Sequence, residues 1–188
     1  MKIAIVIGHK KSSPGAVNEN YDVSEHQFNT NLAYSIGREL LKDPGTLAEN
    51  IVIVHRKTNY KNLPGEINDL EPDLIVSLHC NAFNKSANGC EMLYYHKSTK
   101  GKEVARIFQN HIVQRLDNKD RGIKPKTAED LGGYLLRYTK ACCIIAEPFF
   151  IDNDDELLRA DECFKNGDLT KWYCEAINKS LEYLKVAK

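Results

Sequence analysis

The stretch Asp73-Leu74-Ile75-Val76-Ser77-Leu78-His79-Cys80-Asn81-Ala82 decides the fold of this chain. Its apolar run is too short for a typical helix and stops at a histidine. Ile- and Val-rich runs of this kind suit strands buried on both faces by helices. Two more runs follow the same plan: Ile3-Ala4-Ile5-Val6-Ile7-Gly8 ends at His9, and Cys142-Cys143-Ile144-Ile145-Ala146 ends at Glu147 and Pro148. Residues 2–7, 51–55, 73–78, 90–95 and 142–147 are the predicted strands.

Between the strands the period changes to that of a helix. Residues 25–42 carry Phe28, Leu32, Ile36 and Leu40 on one stripe, and Asp43-Pro44-Gly45 ends it. Residues 100–116 repeat the pattern with Val104, Ile107, Phe108, Ile112 and Leu116, capped by Ser98 or Thr99. A short helix is expected near 63–70, with Pro64 in its first turn. The acids of Ile151-Asp152-Asn153-Asp154-Asp155 suit the positive end of a following helix dipole. A final helix over 168–185 turns Trp172, Ala176, Ile177, Leu181 and Leu184 inward. Loops are expected at 10–24, 80–89 and 117–133. The first and third are long for a compact domain, as loops that frame a cleft are. Strands alternating with helices over 188 residues indicate a single α/β domain, 1–188.

Composition removes several classes of function. Lysines plus arginines equal aspartates plus glutamates at 26 each, so the basic excess of a nucleic-acid binder is missing. No apolar run approaches the ~20 residues needed to span a bilayer. Met1-Lys2 leads straight into a strand with no signal-peptide pattern, so synthesis is expected in the cytoplasm. The six cysteines form no Cys-x-x-Cys pair and read as reduced thiols.

The polar groups past these strands meet at one rim of an open α/β sheet, where binding sites form. Catalytic zinc takes three protein ligands and keeps a fourth position for water. His9, His79 and Glu25, which opens the first helix, would supply two imidazoles and a carboxylate. The reaction also needs a carboxylate to move a proton from water to a leaving nitrogen. Glu147 is the candidate, held extended by Pro148. Each residue alone has a plainer reading: a surface histidine for His9 or His79, a first-turn helix acid for Glu25. Glu147 resists one, because an acid after Cys-Cys-Ile-Ile-Ala is costly to bury without a partner.

The surrounding motifs carry a resemblance. Gly8-His9, Pro14-Gly15-Ala16, Glu25 with Asn29, Ser77-Leu78-His79-Cys80-Asn81-Ala82, Arg121-Gly122-Ile123-Lys124, Leu135-Leu136-Arg137-Tyr138-Thr139 and Ala146-Glu147-Pro148-Phe149-Phe150-Ile151-Asp152-Asn153 occur in this order. The order resembles the zinc-dependent N-acetylmuramoyl-L-alanine amidases of the Amidase_3 family, from about residue 3 to about residue 184. The Ser-x-His-x-Asn-Ala and Glu-x-x-Phe-x-x-Asn segments are its most specific parts. The resemblance implies a mixed, mostly parallel sheet of about five or six strands flanked by helices on both faces. It also implies one zinc ion held by His9, Glu25 and His79, with Glu147 as catalytic acid/base. The implied substrate is peptidoglycan or its muropeptides, cut between the lactyl group of N-acetylmuramic acid and L-alanine, so the implied place of action is the cell wall, after lysis or other release. Two departures stand out: Lys10-Lys11 follows His9 where the family often has two glycines, and Pro148 follows Glu147 where a small residue is common.

Other residues compete for roles. His26 adjoins Glu25, but neighbours on a helix point about 100° apart, so one of the two must face away; His26 is expected in solvent. Glu19 is a weaker substitute for Glu25. Cys80 is expected to pack on the face opposite His79. His55, His96 and His111 default to the surface. Asn81 serves equally well as a ligand-orienting or substrate-contacting group or as a loop cap. Tyr94, Tyr95, Tyr134, Phe149 and Phe150 are candidates for a sugar-peptide groove, with at least half expected in the core. Lys10, Lys11, Lys124 and Lys126 could attract anionic polymers, although solvated loops are the simpler account. Two rival functions remain: another zinc peptidase or deacylase on small amides, and a non-catalytic wall-binding module. Phage lysis, recycling and sporulation roles are equally compatible with the sequence.

Overall fold

A computed structural model describes residues 1–187. Its centre is a six-stranded sheet in the order β4-β1-β5-β8-β6-β7. The strands are β1 (Lys2–Ile7), β4 (Asn50–Val54), β5 (Leu74–Leu78), β6 (Cys90–Tyr95), β7 (Asp120–Lys126) and β8 (Cys142–Glu147). β4, β1, β5 and β8 run parallel, β6 is antiparallel to β8, and β7 is parallel to β6. The mixed, mostly parallel sheet expected from the sequence is the one observed. A separate two-stranded ribbon pairs β2 (Val17–Asn18) with β3 (Val23–Ser24).

Alternation along the strands builds two cores. Ile3, Ile5, Ile7, Leu74, Val76 and Leu78 face one side and Ala4, Val6 and Ile75 the other. The first side is covered by α1 (Glu25–Leu40), α3 (Thr99–Ile112), α5 (Asp154–Lys165) and α6 (Asp168–Val186), with α6 packed along α1 and α3. The second side has only α2 (Leu63–Asn68), α4 (Gly133–Tyr138) and a 3-10 turn at Tyr60–Asn62. Local chemistry fixes the helix starts. Ser24, Ser98 and Asn153 accept from the backbone N–H groups of Gln27, Gly101 and Glu156 and so cap α1, α3 and α5. No helix among the described residues is long and apolar enough to cross a membrane.

Three expectations need correction. The stretch 10–24 was expected to be a loop, but it holds the short β2–β3 ribbon, whose two-residue strands carry no readable alternation. The stretch 117–133 was expected to be a loop, but it contains β7. The strand reads Asp-Arg-Gly-Ile-Lys-Pro-Lys, so no apolar run announces it. It is an edge strand, where lysine and proline are tolerated because one side needs no ladder partner. The short α4 was not expected at all, since six residues give too little periodicity. The remaining strands and helices lie within a few residues of their predicted bounds, α3 ending at Ile112 and α1 at Leu40.

Candidate metal centre

The register of the parallel strands assembles the site. Leu78 lies opposite both Ile7 and Ala146, so the residues that follow emerge together at one rim. His79 N–H donates to the Ala146 carbonyl at 3.0 Å and Gly8 N–H to the Leu78 carbonyl at 2.9 Å, extending the pairing to the site itself. Asn81 continues it, with N–H to Phe149 O and carbonyl from Ile151 N–H, both 2.9 Å. α1 then delivers Glu25 from its first turn.

Glu25 is 3% exposed and stands between the two imidazoles. Its Oε1 lies 2.8 Å from His79 Nδ1 and its Oε2 3.1 Å from His9 Nε2. The backbone N–H groups of Cys80 and Ala16 donate to the same carboxylate at 3.0 and 3.3 Å. One potential ligand atom from each of His9, Glu25 and His79 lies within 4.8 Å of the other two. Two donors on a tetrahedral zinc, each at ~2.0–2.1 Å, sit roughly 3.3 Å apart. The donor set and its spacing therefore fit a zinc ion. Burial raises the Glu25 pKa, but the hydrogen bonds with His79 and then His9 outweigh it and hold the group at about 2. Burial also disfavours the charged form of His79, yet Glu25 reverses this and moves its pKa upward.

The backbone is shaped around these groups. His9 has φ +63°, in the left-handed region that non-glycine residues seldom occupy. A Cβ on Gly8 would lie 2.6 Å from Leu78 O, and one on Gly15 would lie 2.5 Å from Glu25 Oε2. Gly15 also has φ +82°. After His9, Lys10 and Ser13 exchange backbone hydrogen bonds at 3.2 and 2.8 Å, so the loop of Lys10-Lys11 closes tightly without the glycines common in the family.

Glu147 ends β8, half-buried, in the cleft of about 440 Å³ that also contains His9, Glu25 and His79. Burial pushes its carboxyl up to about 7; His79 pulls it down, while Glu91 and Glu25 add to the rise. Glu91 is a residue that sequence reasoning missed. It stands directly opposite Glu147 across the antiparallel β6·β8 pair and is 9% exposed. Asn81 Nδ2 donates to its Oε1 at 2.8 Å and Arg121 Nε to its Oε2 at 2.7 Å. Asn81 thus orients a carboxylate beside the site. The available signal for Glu91 was a lone acid inside the apolar strand 90–95. Arg56, Lys126 and the exposed Leu131 also line the cleft and were not assigned to it from the sequence.

The competing residues take other positions. His26 is half-buried rather than solvated, with Nδ1 3.3 Å from Gly8 O, because α1 lies against the end of β1. Glu19 pairs with Lys85 at 3.1 Å on the surface. Cys80 packs its sulfur against Asn29 at 3.7 Å, as expected. His96 is exposed, while His55 and His111 are half-buried and bonded to Tyr34 and to Ile107 O. Tyr94, Phe149 and Phe150 belong to the core, leaving Tyr95 and Tyr134 partly exposed.

Comparison with known proteins agrees with this architecture. The sequence profile of Amidase_3, described as N-acetylmuramoyl-L-alanine amidase, matches residues 3–179. The chain belongs to the Amidase_3 family. The N-acetylmuramoyl-L-alanine amidase LytC of Bacillus subtilis is 26% identical over 152 residues, covering 78% of this chain and 28% of LytC. The chain thus spans little more than a quarter of that relative's length. The catalytic domain of the CD27L endolysin, whose structure is described as targeting Clostridia difficile, is 28% identical. The two align with a TM-score of 0.79 over 94% of this chain and 96% of that one. The catalytic domain of CwlV, an amidase from Bacillus (Paenibacillus) polymyxa, also gives 0.79, with 22% identity over 97% of this chain and 99% of that domain. CwlV supports the fold.

Proposed function

We propose that this chain is a zinc-dependent N-acetylmuramoyl-L-alanine amidase that cuts between N-acetylmuramic acid and L-alanine in bacterial peptidoglycan. The observation that carries the reading is Glu147 in one cleft with His9, Glu25 and His79, in a chain matched to the amidase family over residues 3–179. His9, Glu25 and His79 would hold the ion. When bound, zinc supplies a Lewis acid that polarises a carbonyl and lowers the pKa of water toward about 7.

The chain's own groups supply the rest. Buried Glu25 adds a negative charge that two imidazoles and two backbone N–H groups hold in place. Burial holds Glu147 at about 7 in the metal-free protein, and a divalent cation beside it would favour the ionised form that accepts a proton. Glu147 can accept the proton of an attacking water and deliver it to the departing L-alanine nitrogen. Apolar walls from Leu63, Leu93, Leu135 and Ile145 exclude water beside it and strengthen its electrostatic contacts. Such a substrate places the site of action at the cell wall.

Zinc-loaded Glu147→Gln and Glu147→Ala are expected to keep the metal and lose turnover by about 10²–10⁴-fold. His79→Ala is expected to lose both. Metal analysis and mass spectrometry of digested peptidoglycan, with and without chelator, provide the test. Intact sugar strands and peptides beginning with L-alanine support the reading; an active Glu147→Ala enzyme, or cleavage elsewhere, refutes it.

A further inference from the structure

Two cations line the cleft whose roles the reaction does not explain, Arg56 and Lys126. Lys126 acts on Glu147, whose ionised form its charge favours. Arg56 has no such partner. It follows β4, where Val54 lies opposite Val6 of β1, and so reaches the rim that carries Gly8 and His9. Its guanidinium carbon lies 5.8 Å over the ring of Tyr60. Its Nε is buried with no hydrogen-bond partner. Among the described residues, Arg56 forms no ion pair, as Arg38, Arg137 and Arg159 form none, but of all these arginines it alone holds a buried donor without a partner. Its charge is felt at His79, where it opposes protonation.

A guanidinium offers donors in a planar fork that matches a carboxylate. Here the arginine is half-buried in a cleft with apolar walls that include Leu63 and Leu135, with a buried donor left open. A carboxylate entering with the substrate would complete it, and the low dielectric would strengthen the contact. In the stem peptides of peptidoglycan, the acidic residue after L-alanine is joined through its side chain. Its α-carboxyl is therefore either free or amidated. Five bonds, at most about 6 Å, separate its carbon from the scissile nitrogen.

We propose that Arg56 is a specificity-determining residue that binds this free α-carboxylate, so that the chain prefers stem peptides in which it is not amidated. The proposal rests on the amidase reading above. The test measures kcat and KM of the zinc-loaded protein on two muropeptides that differ only in this group, carboxylate or carboxamide. The wild type is expected to favour the carboxylate by about ten-fold or more in kcat/KM, mainly through KM. Arg56→Gln should bring the carboxylate substrate down to the level of the amide and leave the amide within about three-fold, while Arg56→Lys restores part of the difference. Equal loss on both substrates would assign Arg56 a structural role beside Tyr60 and overturn the proposal. Equal cleavage of both substrates by the wild type overturns it too, even if Arg56→Gln does not fold. Cleavage of neither substrate by the wild type would instead overturn the amidase reading, and the proposal with it.

Discussion

Glu147→Gln is expected to make the metal-free protein more stable as it abolishes turnover, and the gain should depend on pH. Burial pushes Glu147 from an ordinary 4.5 to about 7. Below pH 4.5 the carboxyl is protonated in folded and unfolded chains alike and adds nothing. Between pH 4.5 and 7 the unfolded chain ionises while the folded chain keeps its proton, so stability falls as pH rises. Above pH 7 both are ionised and the full penalty is present. At 1.36 kcal/mol per pH unit the penalty is about 3 kcal/mol. Glutamine has nearly the shape of the protonated acid and never ionises. The variant should match the wild type at pH 4 and exceed it at pH 8 by about 3 kcal/mol, or roughly 6–12 °C in Tm. Urea and thermal unfolding followed by circular dichroism at pH 4, 6 and 8 would measure this. Chelator belongs in every sample, because a divalent cation near Glu147 would favour the ionised form. A stability difference that does not change with pH, or a less stable variant at pH 8, would refute the argument.

Gly15→Ala should abolish zinc binding and destabilise the fold by about 1–3 kcal/mol, since its Cβ would lie 2.5 Å from Glu25 Oε2 at φ +82°; metal analysis and denaturation would show it. Glu25 is held at about 2, so in the metal-free protein its contribution is present above pH 4.5 and lost as pH falls toward 2. Glu25→Gln should therefore flatten the acid side of the unfolding profile and lose zinc. Arg121→Met leaves Glu91 paired only with Asn81 opposite Glu147. It is expected to lower kcat by about ten-fold with zinc content unchanged, as steady-state kinetics and metal analysis would show.

The central strands were legible because burial on both faces leaves Ile, Val, Leu and Cys at every position of 74–78 and 142–145 except Ser77. That His9, Glu25, His79 and Glu147 share one cleft was legible for the related reason that each interrupts such a run, or starts a helix. β7 was not, since an edge strand faces solvent on one side and its Lys-Pro-Lys ending looks like a loop. Arg56 and Glu91 were invisible for a different reason. Their meaning depends on what lies across the rim, and only the register of β4 against β1 and of β6 against β8 reveals it. His26 was misread because local helix geometry says nothing about the end of β1 beside it.

The unequal covering of the sheet bears on motion. Four helices of 12 to 19 residues shield one face, while α2 and α4, six residues each, shield the face below the cleft. Helices that short have almost no stability of their own and depend on a few contacts such as Leu63, Ile67, Leu135 and Leu136. Their amides should exchange with solvent deuterium through local opening, well before those of β1 and β5, which require global unfolding. The wall of the cleft would then breathe while the rim that carries His9, Glu25 and His79 stays rigid, leaving room for a bulky substrate of the proposed kind to enter without disturbing those three residues.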